Sequence, residues 1–120
     1  AYPVLKQHGF HAIQHIISAR KDRYEGFQTF DPTTAQQYFT DEEMAAQADV
    51  WGYEAHSFNM HILIPETNTS RLYEASPGEL RDDLRQNLED VPGAIAFAYP
   101  FGQYKEESID VLKELGSPQI

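Results

Sequence analysis

The sequence contains no cysteine. That removes disulfides, thiol nucleophiles and cysteine-ligated zinc, although it says nothing firm about compartment. Basic residues are also scarce. Nine Lys and Arg face nineteen Asp and Glu, for a formal net charge of -10. So acidic a chain argues against nucleic acid or an anionic membrane as its main partner. No apolar run approaches the roughly 20 residues that a membrane-spanning helix needs, so no membrane span is expected. No secretory leader is visible, though a trimmed chain would lack one.

What is present reads as a globular α/β protein. The length, 120 residues, suits one domain with one core. Hydrophobic residues at 41% and charged residues at 23% make a folded chain, not a disordered one. Seven Tyr, seven Phe and one Trp suffice for a core and a lined cleft.

In chain order, residues 1–9 read as the end of a helix stopped by Gly9, with Pro3 acceptable only in a first turn. A chain that opens this way looks cut. Residues 10–18 predict a strand, with His11, Ile13, His15 and Ile17 on one face. His11 and His15 are candidate ligands but read chiefly as hydrogen-bonded core residues. Residues 19–39 form a long connection with two short elements at most; such lengths are often functional. Thr40-Asp41-Glu42-Glu43 is a capping box. The helix after it should run to about Asp49 with Met44, Ala45 and Ala48 inward. Val50 to Ala55 predicts a strand broken early by Gly52. Ile62 to Pro65 leads into a polar loop. Ser76-Pro77-Gly78-Glu79 is a second capping box, and Leu80, Leu84 and Leu88 define the inward face of its helix. Residues 94–98 are all apolar and predict a short strand buried on both faces. A last helix, about Lys105 to Leu115, turns Ile109, Leu112 and Leu115 inward and is closed by Gly116 and Pro118. Helices and strands alternate, which implies a parallel sheet covered by helices. Ligands of such folds bind beyond the carboxyl ends of the strands.

Two unusual stretches fall at that edge. The first is Tyr53-Glu54-Ala55-His56-Ser57-Phe58-Asn59-Met60-His61, with two histidines five positions apart. In a regular element that spacing would point the rings apart; a turn after His56 would bring them together. The pair then reads either as two ligands of one open metal site or as two loop histidines with structural hydrogen bonds. The second stretch is Tyr99-Pro100-Phe101-Gly102. The aromatics Tyr53, Phe58, Tyr99, Phe101 and Tyr104 read either as core bulk or as platforms for sugar rings.

Residues 54–61 resemble the second motif of the polysaccharide deacetylases, the NodB-homology domain of carbohydrate esterase family 4, in the variant of its poly-N-acetylglucosamine deacetylase branch. Residues 97–104 resemble the family's third motif, an aromatic-Pro-aromatic-Gly turn on the active-site wall. Residues 1–10 and 106–115 fit the helices expected around them, so the likeness covers the whole chain. It implies a distorted (β/α) barrel built of parallel β/α units. It also implies a divalent metal, usually zinc, held by two His and one Asp. By this resemblance His56 and His61 are metal ligands and Tyr99, Pro100 and Phe101 shape the substrate groove, with a backbone N–H holding the oxyanion. The implied substrate is an N-acetylated polysaccharide at the cell surface or outside the cell, and the reaction is hydrolysis of an acetamide. The family's first motif, with its metal-binding Asp and general base, is missing, as is the late His motif. Thr29-Phe30-Asp31 looks like the first motif but stands in the wrong place and precedes Pro32; Asp31 is expected to be a turn or cap residue. No catalytic acid or base is identified, and residues 1–120 are expected to be a partial domain, incomplete at both ends. Its open sheet edges would favour pairing with another copy. The rival reading is a non-catalytic carbohydrate-binding or interaction module on the same scaffold.

Overall fold

The computed structural model describes residues 1–21, 27, 29, 31, 33 and 38–116. Its elements are helices α1 (Tyr2–Gln7), α2 (Asp41–Ala46), α3 (Arg71–Glu74), α4 (Pro77–Asp90) and α5 (Glu106–Glu114), and strands β1 (Ala12–Ile16), β2 (Trp51–Ala55), β3 (Leu63–Ile64) and β4 (Thr69–Ser70). Strands β1 and β2 form a two-stranded sheet. The Ala12 N–H donates to the Val50 carbonyl and the His56 N–H to the Ile16 carbonyl. Residue numbers rise together along both strands, so the pairing is parallel. A parallel bridge joins Ala55 to Phe97. The expected α/β class with parallel strands is therefore what the chain adopts.

Contacts divide the chain into two compact units, residues 1–14 with 20–52 and residues 15–19 with 53–120. In the first, α1 carries Pro3 in its opening turn and stops at Gly9, whose φ of +67° is the left-handed geometry glycine tolerates. Thr40 caps α2, and the reciprocal bond from the Thr40 N–H to the Glu43 carboxylate completes the box. Glu43 is buried for that reason, beside Met44. Ala45 and Ala48 are exposed, contrary to expectation. The helix ends at Ala46, too short to build the broad apolar face that placed them inward. Gly52 does not break β2, which runs through it. Asp31 accepts two hydrogen bonds from Thr33, one from its N–H and one from its hydroxyl, as a turn residue does. The short elements expected within residues 19–39 fall almost wholly outside the described residues, as does Pro118; Ser18–Arg20 form one turn of 3-10 helix.

The second unit holds the main core: Ala55, Met60, Leu72, Leu80, Leu84, Phe97, Val111 and Leu112. Helix α4 begins at the Ser76 and Glu79 capping box with Pro77 in its first turn. Leu80 and Leu84 are buried and Leu88 packs at the edge of the same cluster. Helix α5 closes against α4 with Val111 and Leu112. Residues 66–70, expected as a polar loop after Ile62 to Pro65, instead close a minimal antiparallel hairpin pairing Leu63 with Ser70 and Ile64 with Thr69.

The strand expected at 94–98 is reduced to the single bridge at Phe97, and Ile95 is 67% exposed. The Glu54 carboxylate explains this. One of its oxygens accepts the N–H groups of Ile95 and Ala96, both at 2.7 Å. Those donors go to a side chain, so the ladder starts only at Ala96 and Ala98, which bond to Ala55.

Leu84 has no solvent exposure. The Leu84→Ala variant should lose about 2–5 kcal/mol of stability, read as a lower urea midpoint at unchanged slope.

Candidate functional site

Strand β2 delivers His56 at its carboxyl end, and the chain turns at once. Ser57 adopts φ +74°, a left-handed geometry unusual for a residue with a side chain. Its hydroxyl, fully buried, accepts the Met60 N–H at 3.1 Å. This turn brings the two imidazoles together, with ring centroids 4.9 Å apart. The His56 ring is then fixed from behind: its Nδ1 lies 2.7 Å from the Ala98 carbonyl oxygen. A carbonyl only accepts, so Nδ1 carries the proton and the lone pair lies on Nε2.

That arrangement fits a shared cation. Imidazole nitrogens about 2.0–2.1 Å from one tetrahedral ion place their ring centroids about 5 Å apart. A ligating histidine commonly donates its other ring N–H to a carbonyl or carboxylate, and His56 already does so toward Ala98. The described residues contain no group of three or more His, Asp or Glu arranged to hold a metal. Among the described residues the pair therefore offers two nitrogen donors at most.

The third-motif stretch lies against this pair. Phe101 stacks on His61 at 4.3 Å between centroids. It too is left-handed, φ +56°, and is 47% exposed. Pro100 is buried, so it shapes the turn and offers no surface to a ligand. Tyr99 is half-buried and packs edge-on to Phe97 at 5.3 Å. Its hydroxyl is buried with no hydrogen-bond partner among the described residues. Burial, and then the neighbouring Tyr104, push its pKa up, so the hydroxyl remains a protonated donor. Tyr104 is exposed; Tyr53 and Phe58 are half-buried. Of the five candidate aromatics, Phe101 and Tyr104 are therefore the two that stay exposed.

His11 and His15 are exposed, not buried as the strand pattern suggested. They share the outward face of β1 with Ile13, itself 60% exposed. His15 nonetheless approaches the pair, its ring centroid 6.0 Å from that of His56.

Of three further residues at this site, Asp83 and Asn87 carry no motif signal, while Glu54 stands inside the second-motif stretch. Asp83 of α4 accepts the Phe58 and Asn59 N–H groups. Asn87, one turn further, accepts the His56 N–H and donates to the Ile16 carbonyl and the Ser18 hydroxyl. Glu54 anchors residues 95–96 through their N–H groups. The i, i+4 spacing of Asp83 and Asn87 was visible, but polar residues on a helix ordinarily face solvent. Asp83 also lines an open cavity of about 640 Å³ bounded by Met60, Arg71, Glu74 and Gln86. Burial raises its pKa, against the two N–H bonds and Arg71, which lower it.

Comparison with known proteins bears on the family and the fold. A family model described as polysaccharide deacetylase matches residues 1–120. No curated protein sequence matches the chain. Among solved structures, IcaB from Ammonifex degensii superposes with a TM-score of 0.75 at 18% identity, over 94% of this chain and 48% of that one. The Streptococcus pyogenes deacetylase PplD, in complex with acetate, gives 0.71 at 20%, over 97% and 46%. BA3943, a CE4 family pseudoenzyme from Bacillus anthracis, gives 0.58 at 14%, over 99% and 36%. The chain spans about half the length of the first two. At these identities the likeness is one of fold, and it includes a protein described as a pseudoenzyme.

Two outcomes follow from the local chemistry. Burial first, then the neighbouring imidazoles of His61 and His15, hold the His56 pKa down, against the Ala98 hydrogen bond that raises it. The folded state therefore binds the proton less readily than the unfolded chain. Its contribution is fully present above about pH 6.5 and is lost as pH falls through that value toward the lower folded pKa. Urea unfolding at pH 7.5 and 5.5 should show a larger acid loss for wild type than for His56→Asn. The orphan hydroxyl predicts the opposite kind of change: Tyr99→Phe should gain about 1 kcal/mol, seen as a higher melting temperature.

Proposed function

Because this chain belongs to the polysaccharide deacetylase family, we propose that it is part of a metal-dependent hydrolase that removes acetyl groups from N-acetylglucosamine-containing polysaccharide. His56 and His61 would hold a divalent cation, zinc by preference for two imidazoles and a carboxylate. The observation that carries this reading is the paired imidazoles with the His56 ring fixed through Nδ1. When bound, the ion supplies Lewis-acid polarisation and an activated water at neutral pH. The chain's own residues prepare the place where the acetamide sits. The Ala98 carbonyl sets the tautomer of His56. Phe101 covers one side of His61, excluding water from that side and leaving an aromatic surface for a pyranose ring. A backbone N–H of the turn at Phe101 would be the donor to an oxygen developing charge, those of Gly102 and Gln103 being engaged by the Tyr99 and Pro100 carbonyls. The remaining ligand and the general acid and base come from outside the described residues, so this segment alone is proposed to be inactive. Activity is expected at the cell surface or outside the cell, on a polymer whose freed amines suit an acidic surface. The outer edge of β1, unpaired among the described residues, is open to another segment or a second copy.

A second reading has one observation in its favour: Phe101 and Tyr104 stay exposed, and a glycan-binding module without catalysis would also use them. Two measurements separate them. Zn²⁺ titration of the chain, by calorimetry, should show one site that His56→Ala abolishes. The full-length protein that carries this domain should release acetate from β-linked N-acetylglucosamine oligomers. Glycan binding with neither metal uptake nor acetate release would establish the second reading instead.

A further inference from the structure

The turn that joins the two histidines does not support itself. Among the described residues, no backbone hydrogen bond links two residues within 56–61. Within it the Met60 N–H donates to the Ser57 hydroxyl. The carbonyls of Ser57 and Phe58 accept from Ser18 and Ala19, and three of the turn's N–H groups go to two side chains of α4. Asp83 takes Phe58 on one oxygen and Asn59 on the other, each at 2.8 Å. Asn87 takes His56 at 3.0 Å. These anchors fall on either side of Ser57, the left-handed residue at which the chain reverses. Four residues apart, Asp83 and Asn87 stand on one face of a helix, and that helix is locked by the core through Leu80 and Leu84. The shape of the turn is therefore imposed from a rigid element outside it. Supporting residues of this kind hold a binding constellation within fractions of an ångström.

We propose that Asp83 and Asn87 are positioning residues that set the separation of the His56 and His61 imidazoles, α4 serving as the ruler for the pair. The proposal rests on the metal-ligand reading above for its purpose, but not for its geometry. It differs from a plain stabilising role in one respect: loss of the anchors should spoil the pair out of proportion to any loss of folding stability.

The test compares the wild-type chain with Asp83→Ala, Asp83→Asn and Ser76→Ala. Ser76→Ala removes the α4 N-cap and lowers stability without touching the turn. Two quantities are read: the nuclear Overhauser effect between ring protons of His56 and His61, and Co²⁺ affinity by visible absorption. Asp83→Ala should lose the ring contact and bind Co²⁺ about 10–100-fold more weakly. Asp83→Asn, which keeps one acceptor oxygen, should fall between Asp83→Ala and wild type. Ser76→Ala should lower the melting temperature yet leave both readings as in wild type. If Asp83→Ala does not fold, Asp83→Asn decides. A ring contact and affinity that survive in the Asp83 variant, or that fall equally in Ser76→Ala, overturn the ruler. A wild-type chain that shows the ring contact but binds no Co²⁺ overturns the metal reading instead, and the ring contacts of the variants still decide the ruler.

Discussion

The contact on which the site most depends is a single buried amide. Asn87 has no solvent exposure. Its side chain serves the Ile16 carbonyl, the Ser18 hydroxyl and the His56 N–H, which lie at the ends of β1 and β2. A buried amide left half-satisfied is costly, and one fully engaged specifies a unique arrangement. Asn87 sits on the same helix as Leu80 and Leu84. Hydrophobic burial thus places α4, and α4 in turn places the polar groups that end both strands. The carboxyl edge of this sheet is organised by a helix side chain together with the single bridge from Ala55 to Phe97.

The same division explains what could be read from the sequence. Both capping boxes were legible because each closes within three residues, and local geometry leaves one outcome. The leucine repeat of α4 was legible from its period. The histidine pair was legible only in part. Its spacing called for a turn, but nothing local said that a serine would adopt a left-handed conformation to make it. Asp83 and Asn87 were not legible, since their partners lie 24 to 71 residues away. The strand expected at 94–98 failed for a related reason. Its composition is that of a buried strand, yet the donors of Ile95 and Ala96 were claimed by Glu54, more than forty positions distant. The two-residue strands and the four-residue helix α3 are too short to leave a periodic trace. Likewise, alternation in β1 identified its two faces but not which one is covered.

Strain collects where the site is. Of the three non-glycine residues with positive φ among those described, Ser57 begins the histidine turn and Phe101 stacks on His61. The orphan Tyr99 hydroxyl belongs to the same stretch as Phe101. Each of these features costs on the order of 1–3 kcal/mol, and a chain selected for stability alone would have replaced them with glycine or phenylalanine. They persist within a well-packed unit whose core and caps follow ordinary rules, which is the pattern expected when function opposes stability at one edge of a fold.

The scaffold itself does not decide between catalysis and binding, because solved proteins of this fold include deacetylases and a pseudoenzyme. The decision rests on individual atoms. A glycan-binding surface needs exposed rings, and Phe101 and Tyr104 suffice for that. It has no use for an imidazole whose Nδ1 is tied to the Ala98 carbonyl, nor for a second imidazole held 4.9 Å from the first. Tying Nδ1 fixes the tautomer that leaves the Nε2 lone pair free to give. The geometry of His56 therefore weighs toward coordination chemistry, with the aromatic residues beside it as the floor on which a sugar would rest.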